Sequence, residues 1–139
     1  MTPSQHLESV LTTEAPIEGA LERLQNPQVV RLLHGLVTIV TEVGEALDVV
    51  KKHVYYGKEF DAAQMVNLIE EVGDIQWGCG LSVDAINNLC TEYSVNPVTC
   101  EVVLERNHKK LANRYPTGFT QKHALQRDLV NEQSVLSGN

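Results

Sequence analysis

Two short stretches of this sequence hold carboxylates at a spacing suited to gripping a cation. The first is Glu42-Val43-Gly44-Glu45 and the second is Glu71-Val72-Gly73-Asp74. In each, the two acidic residues stand three apart, which puts them on one face of a helix, about one turn from each other. Glu42 and Asp74 have Lys58 as their midpoint, and so do Glu45 and Glu71. Lys58 lies within Tyr56-Gly57-Lys58-Glu59, the best loop between two helical patterns. An antiparallel hairpin turning there sets Glu42 level with Asp74 and Glu45 level with Glu71, so that carboxylates converge from two helices. Crowded carboxylates repel and raise one another's pKa unless a positive charge sits among them. With oxygen the sole donor type and no His or Cys in either stretch, the site suits a hard cation, Mg2+ or Mn2+, rather than zinc. The competing reading is a solvated acidic face, the usual fate of Glu pairs at helical spacing. The mirrored placement and the repeated Val-Gly weigh against it. A glycine inside a helix costs about 1 kcal/mol relative to alanine, so Gly44 and Gly73 predict a close approach to the backbone there.

The elements that must position these residues read as helices. Asn26-Pro27 is a cap followed by proline at the first helical position. From there to about Tyr55, the residues Val29, Leu33, Leu36, Val40, Val43, Leu47, Val50 and Val54 recur at alternating spacings of four and three. This heptad-like seam predicts bundle packing. On an ideal wheel Glu45 lies well away from the seam and Glu42 on its flank. The carboxylates therefore face water, or the helix is covered on more than one side, as in an oligomer. Val30, Val37 and Val49, outside the seam, favour the oligomer, at least a homodimer and up to a homotetramer. Gly57 suits the helix C-cap, and Lys51, Lys52 and His53 suit the negative end of its dipole.

A second long helix is expected from about Asp61, a good N-cap, to about Cys90, with Met65, Leu68, Ile69, Val72, Ile75, Val83, Ile86 and Leu89 as its apolar face. Trp77, three residues after Asp74, projects near the same face, either as core or as a stacking platform for a base. Ser94-Val95-Asn96-Pro97 breaks the chain, and a last long helix spans roughly residues 98 to 113. Tyr115-Pro116-Thr117-Gly118 reads as a loop and Thr120 to Asp128 as one more short helix. At the other end, Thr2-Pro3-Ser4 opens a short helix over roughly residues 4 to 12. Ala15-Pro16-Ile17 opens another through Leu24, and both are expected to cover the bundle. The fold class that follows is all-α: an antiparallel helical bundle with two long central helices plus a C-terminal helix. Residues 1–27 are read as N-terminal covering helices, 28–128 as the main domain and 129–139 as a flexible tail.

Composition bounds the function. A chain of 139 residues with 42% hydrophobic content suits one domain with a real core. A net charge of -7 and a pI of about 5.1 argue against a nucleic acid polymer as partner, which calls for a basic stripe, but not against a nucleotide carried in with its own metal. Cys79, Cys90 and Cys100 are odd in number and lack C-x-x-C spacing, which predicts reduced thiols and a cytoplasmic setting. There is no signal-peptide pattern and no apolar run long enough to span a bilayer. No Gly-rich phosphate loop, Ser-His-Asp set or Cys-His set is present, and the five histidines are scattered.

The carboxylate hairpin resembles the catalytic hairpin of the all-alpha nucleoside triphosphate pyrophosphohydrolases, the MazG-like family. That family carries E-x-x-E on one helix and E-x-x-D on the next, holding Mg2+. Here the matching residues are Glu42, Glu45, Glu71 and Asp74. Val50-Lys51-Lys52-His53 with Tyr56-Gly57-Lys58, and Asp74-Ile75-Gln76-Trp77, look like segments beside the two motifs in the smaller MazG-like proteins. Asn107-His108-Lys109-Lys110-Leu111, Arg114-Tyr115-Pro116 and Gly118-Phe119 look like their C-terminal N-x-x-K-L and R-Y-P-x-G-F pattern. The likeness spans roughly residues 30 to 128. Thr41 stands where many relatives have a further Glu. The resemblance implies Mg2+-dependent hydrolysis between the alpha and beta phosphates of a nucleoside triphosphate, giving a monophosphate and pyrophosphate. It implies Glu42 and Glu45 as candidates for the base that takes a proton from water. It also implies Lys52, Trp77, Asn107, Lys110, Arg114 and Tyr115 as substrate-binding residues, with Lys110 and Arg114, four apart on one helical face, holding phosphates. The bland alternative for these basic residues is a last turn that satisfies its own helix terminus.

Overall fold

The computed structural model describes residues 1–137. Its described residues form helices α1 (Pro3–Thr13), α2 (Ile17–Arg23), α3 (Pro27–Tyr56), α4 (Ala62–Cys90), α5 (Cys100–Arg114), α6 (Gln121–Leu125) and α7 (Leu129–Ser137), with a 3-10 turn at Thr91–Tyr93 and no strand. The all-α fold is as expected. No helix among the described residues is long and apolar enough to cross a membrane. Cys79, Cys90 and Cys100 are free thiols.

The boundaries follow local chemistry. Asn26 caps α3 through Oδ1, which accepts from the Gln28 amide at 2.9 Å, and Pro27 takes the first helical position. At the other end Gly57 adopts φ 68, a left-handed conformation that a side chain would disfavour, and the Lys58 amide reaches back to the Lys52 carbonyl at 3.2 Å. Asp61 and Gln64 form a reciprocal cap on α4: Asp61 Oδ1 accepts from the Gln64 amide at 2.8 Å and Gln64 Oε1 from the Asp61 amide at 3.1 Å. Between the helices, His53 stacks on Phe60 with ring centroids 4.0 Å apart, and its Nδ1 lies 2.9 Å from the Lys58 carbonyl oxygen.

The chain divides into two compact units, Met1–Ala85 and Ile86–Asn139. In the first unit α3 and α4 form the antiparallel hairpin, but not through the apolar seam. They meet at two glycines. A Cβ on Gly35 would stand 2.8 Å from the Gly78 carbonyl oxygen, and one on Gly78 would stand 2.9 Å from the Gly35 carbonyl oxygen. The helix backbones touch there. Gly35 is the one buried residue of α3, and α4 buries Gln64, Glu71, Gly78, Ser82 and Ala85, a stripe of small and polar residues. The predicted seam looks outward instead, with Val40 71%, Leu47 61% and Val54 60% exposed. Gly44 and Gly73, expected to mark a close approach, have nothing within 4 Å of where a Cβ would stand. Helices α1 and α2 bury no residue of their own.

In the second unit the paired amide contacts of Asn87 with Val98 (2.6 and 2.9 Å) pin the restart of the chain, and Thr99 caps α5. Helix α7 packs on α5. Residues 129–137, expected to be part of a flexible tail, are helical because Asp128 Oδ1 caps the Asn131 amide at 3.0 Å and α5 supplies a polar partner surface. Residues 138 and 139 of that expected tail lie outside the described residues.

Candidate metal centre

Glu42 and Glu45 from α3 and Glu71 from α4 offer carboxylate oxygens that all lie within 4.8 Å of one another. Glu71 is buried, Glu42 half-buried and Glu45 exposed. Asn67, one turn before Glu71 on α4, donates Nδ2 to Glu71 Oε1 at 2.7 Å and fixes that carboxylate. The Thr41 hydroxyl reaches Glu42 Oε1 at 3.2 Å. Burial pushes the Glu71 carboxyl up, and its hydrogen bond with Glu42 and the charges of Glu45 and Glu42 push the same way, while Asn67 opposes them. Burial and the neighbouring Glu42 and Glu45 thus disfavour the charged form of Glu71. A divalent cation among these oxygens would relieve the repulsion. The donor set is all oxygen, so the residues present fit Mg2+ or Mn2+.

Asp74 is exposed and stands outside the cluster. The cause is register. The midpoint of Gly35 and Gly78, where the backbones touch, is the peptide linking Tyr56 to Gly57, and so is the midpoint of Glu42 and Glu71. The hairpin therefore turns just short of Lys58. Glu42 faces Glu71 rather than Asp74, and Asp74 moves one turn past the carboxylates.

Beside the cluster opens a cleft of about 540 Å³ lined by Thr41, Gly44, Glu45, Asp48, Val49 and Asn67. A second, of about 270 Å³, shares Val49 and Asn67 with it and adds Lys52 and Lys58. Gly44 thus serves as bare cleft wall. Lys52 is held there by Asp48, which also pairs with Lys51; these two ammonium groups lower the Asp48 carboxyl to about 2. Trp77 is 53% exposed, not core, and meets the His34 ring edge-on at 5.5 Å.

The remaining expected substrate residues belong to the second unit. Asn107 is exposed and Lys110 half-buried on α5. Arg114 ends α5 with Nε and Nη2 on the two carboxylate oxygens of Glu132, at 2.8 and 2.5 Å. Tyr115 lies under the Arg114 guanidinium, 5.9 Å from its ring centroid, and beside Phe119. Sequence reasoning missed Gly35, Asp48, Asn67 and Glu132. For Asn67 there was a usable signal: it precedes Glu71 by four residues and so shares its helix face.

No family model, curated protein or solved structure matches this chain.

Proposed function

We propose that the chain is a Mg2+-dependent nucleotide pyrophosphohydrolase that cleaves a nucleoside triphosphate to the monophosphate and pyrophosphate. The observation that supports it best is the convergence of Glu42, Glu45 and Glu71 from two antiparallel helices at the edge of an open cleft. The motif likeness adds to this. Bound Mg2+, or Mn2+, supplies charge neutralisation at phosphate oxygens and a lowered pKa for an attacking water. Glu71, oriented by Asn67, and Glu42, facing it, hold the cation. Glu45, exposed at the cleft wall, takes the proton from water. Lys52 and Lys58 line the continuation of that cleft and neutralise phosphate charge. Asn107 and Lys110 belong to the same reading through the C-terminal motif.

The reading includes a homo-oligomer, a dimer or a tetramer. The seam from Val29 to Val54 has no buried residue, and a heptad-like stripe of that length is the kind of surface a second copy covers. A cytoplasmic setting follows from the reduced thiols and the nucleotide substrate.

A paired measurement on Glu71→Gln tests the function. Removing the charge at Glu71 relieves a repulsion, so the metal-free variant melts above the metal-free wild type. It gains less from Mg2+ and releases no pyrophosphate from a panel of nucleoside triphosphates. Unchanged turnover in the variant would reduce the cluster to a solvated acidic face. Two competing readings give their own outcomes. A non-enzymatic oligomerisation module with a structural cation would show Mg2+ stabilisation with no pyrophosphate from any nucleotide. A phosphohydrolase of another metabolite would show Mg2+-dependent phosphate release from non-nucleotide substrates.

A further inference from the structure

Helix α7 is attached to the second unit in an unusual way: the residue it buries is a carboxylate. Glu132 is 6% exposed, whereas Leu129 and Val130 in the first turn are 62% and 83% exposed. Glu132 takes the Arg114 fork on both its oxygens, and Arg127 Nη2 adds a third contact to Oε2 at 2.7 Å. Arg106 Nη1 reaches the Leu136 carbonyl oxygen at 3.0 Å near the other end of α7. Alongside lies a cleft of about 180 Å³ walled by Arg114, His123 and Glu132 among others. His123 Nδ1 is buried without a hydrogen-bond partner. Arg114 and the unpartnered imidazole nitrogen of His123 wall this small polar cleft together with Asp128, and Arg127, outside the lining, reaches the same Glu132 carboxylate. With Glu132 moved away, the two guanidinium groups and the imidazole form a seat for a tetrahedral oxyanion. A guanidinium fork matches carboxylate and phosphate equally well.

We propose that Arg114, Arg127 and His123 form a phosphate seat that Glu132 occupies from within, so that α7 and a phosphoryl ligand compete for it. This deepens the proposed function, on which the choice of phosphate as ligand rests, but the seat itself needs no hydrolysis. In the resting chain α7 masks the seat, and arrival of the anion releases α7. The device is held by charge-assisted contacts, and the apolar residues of its first turn, Leu129 and Val130, are exposed.

The test is binding by calorimetry in the presence of a chelator, where the proposed hydrolysis cannot run. The probes are inorganic pyrophosphate and a non-hydrolysable nucleoside triphosphate analogue. Glu132→Gln keeps the shape and removes the charge. It should bind at least one probe ten times more tightly than wild type, and adding Arg114→Ala should cancel the gain. A gain with both probes assigns the seat to a free phosphoryl anion; a gain confined to the analogue assigns it to the substrate's own phosphates. No gain with either, or a gain that survives loss of Arg114, overturns the proposal. A measurement on the wild type stands apart from how the variants fold. Amide exchange across residues 129–137 should quicken with pyrophosphate and not with chloride at matched ionic strength. Equal quickening by both salts would mean an ion pair merely screened, and would overturn it as well.

Discussion

At the scale of single residues, the placement of the carboxylates is decided by two glycines that carry no chemistry. A methyl on Gly35 would stand 2.5 Å from the Ser82 hydroxyl oxygen and 2.8 Å from the Gly78 carbonyl oxygen. The hydroxyl can turn aside, but the carbonyl is backbone and cannot. Gly35→Ala gains about 1 kcal/mol in helix propensity and loses roughly 1–3 kcal/mol to overpacking, so a net drop in melting temperature is expected. Gly44→Ala, with open space around it, should raise the melting temperature by the same propensity gain. A thermal melt of the two variants side by side checks this. The E-x-x-E and E-x-x-D pair was legible in the sequence, but its register was not. A glycine shows no hydrophobic pattern, so nothing in the periodicity told Gly35 and Gly78, which touch, from Gly44 and Gly73, which do not. The error of half a turn in the hairpin's centre was enough to enlist Asp74 and to overlook Asn67.

At the scale of elements, the long helices were readable because their ends are written in caps: Asn26-Pro27, Gly57 and Asp61 all act as the sequence suggests. Helix α7 was not readable, because its stability comes from the distant Arg114 and not from its own composition. Its attachment should therefore titrate. The two arginines hold the Glu132 carboxyl down at about 2, against an ordinary value of 4.5. The native pKa is the lower one, so the stabilisation is fully present above pH 4.5 and is lost as the pH falls toward 2. The difference in melting temperature between wild type and Glu132→Gln should stay constant above that range and close within it. Asp48, held low by its lysines, titrates in the same acid range, but it is common to both proteins and cancels in the difference.

At the scale of the whole molecule, the apolar seam of α3 was correctly seen as a stripe, yet periodicity cannot say what covers a stripe. Within the chain the hairpin closes through small and polar residues, and Ala85 is the one fully buried hydrophobic residue among those described. A seam left outward in this way is expected to join copies of the chain. Light scattering should give at least twice the chain mass, and Val40→Lys, at the middle of the seam, should lower that mass and the melting temperature together. A wild-type chain that scatters as a monomer at working concentration would refute the oligomer. The contact at Gly35 and Gly78 has one more consequence. It lies about two turns from Glu42 and Glu71, and it sets their alignment without help from the turn at residues 57–61. That turn is a tether and not a ruler. It can drift in length and sequence, or be opened to make new chain ends, while the spacing of the carboxylate trio is inherited intact from the crossing of the two backbones.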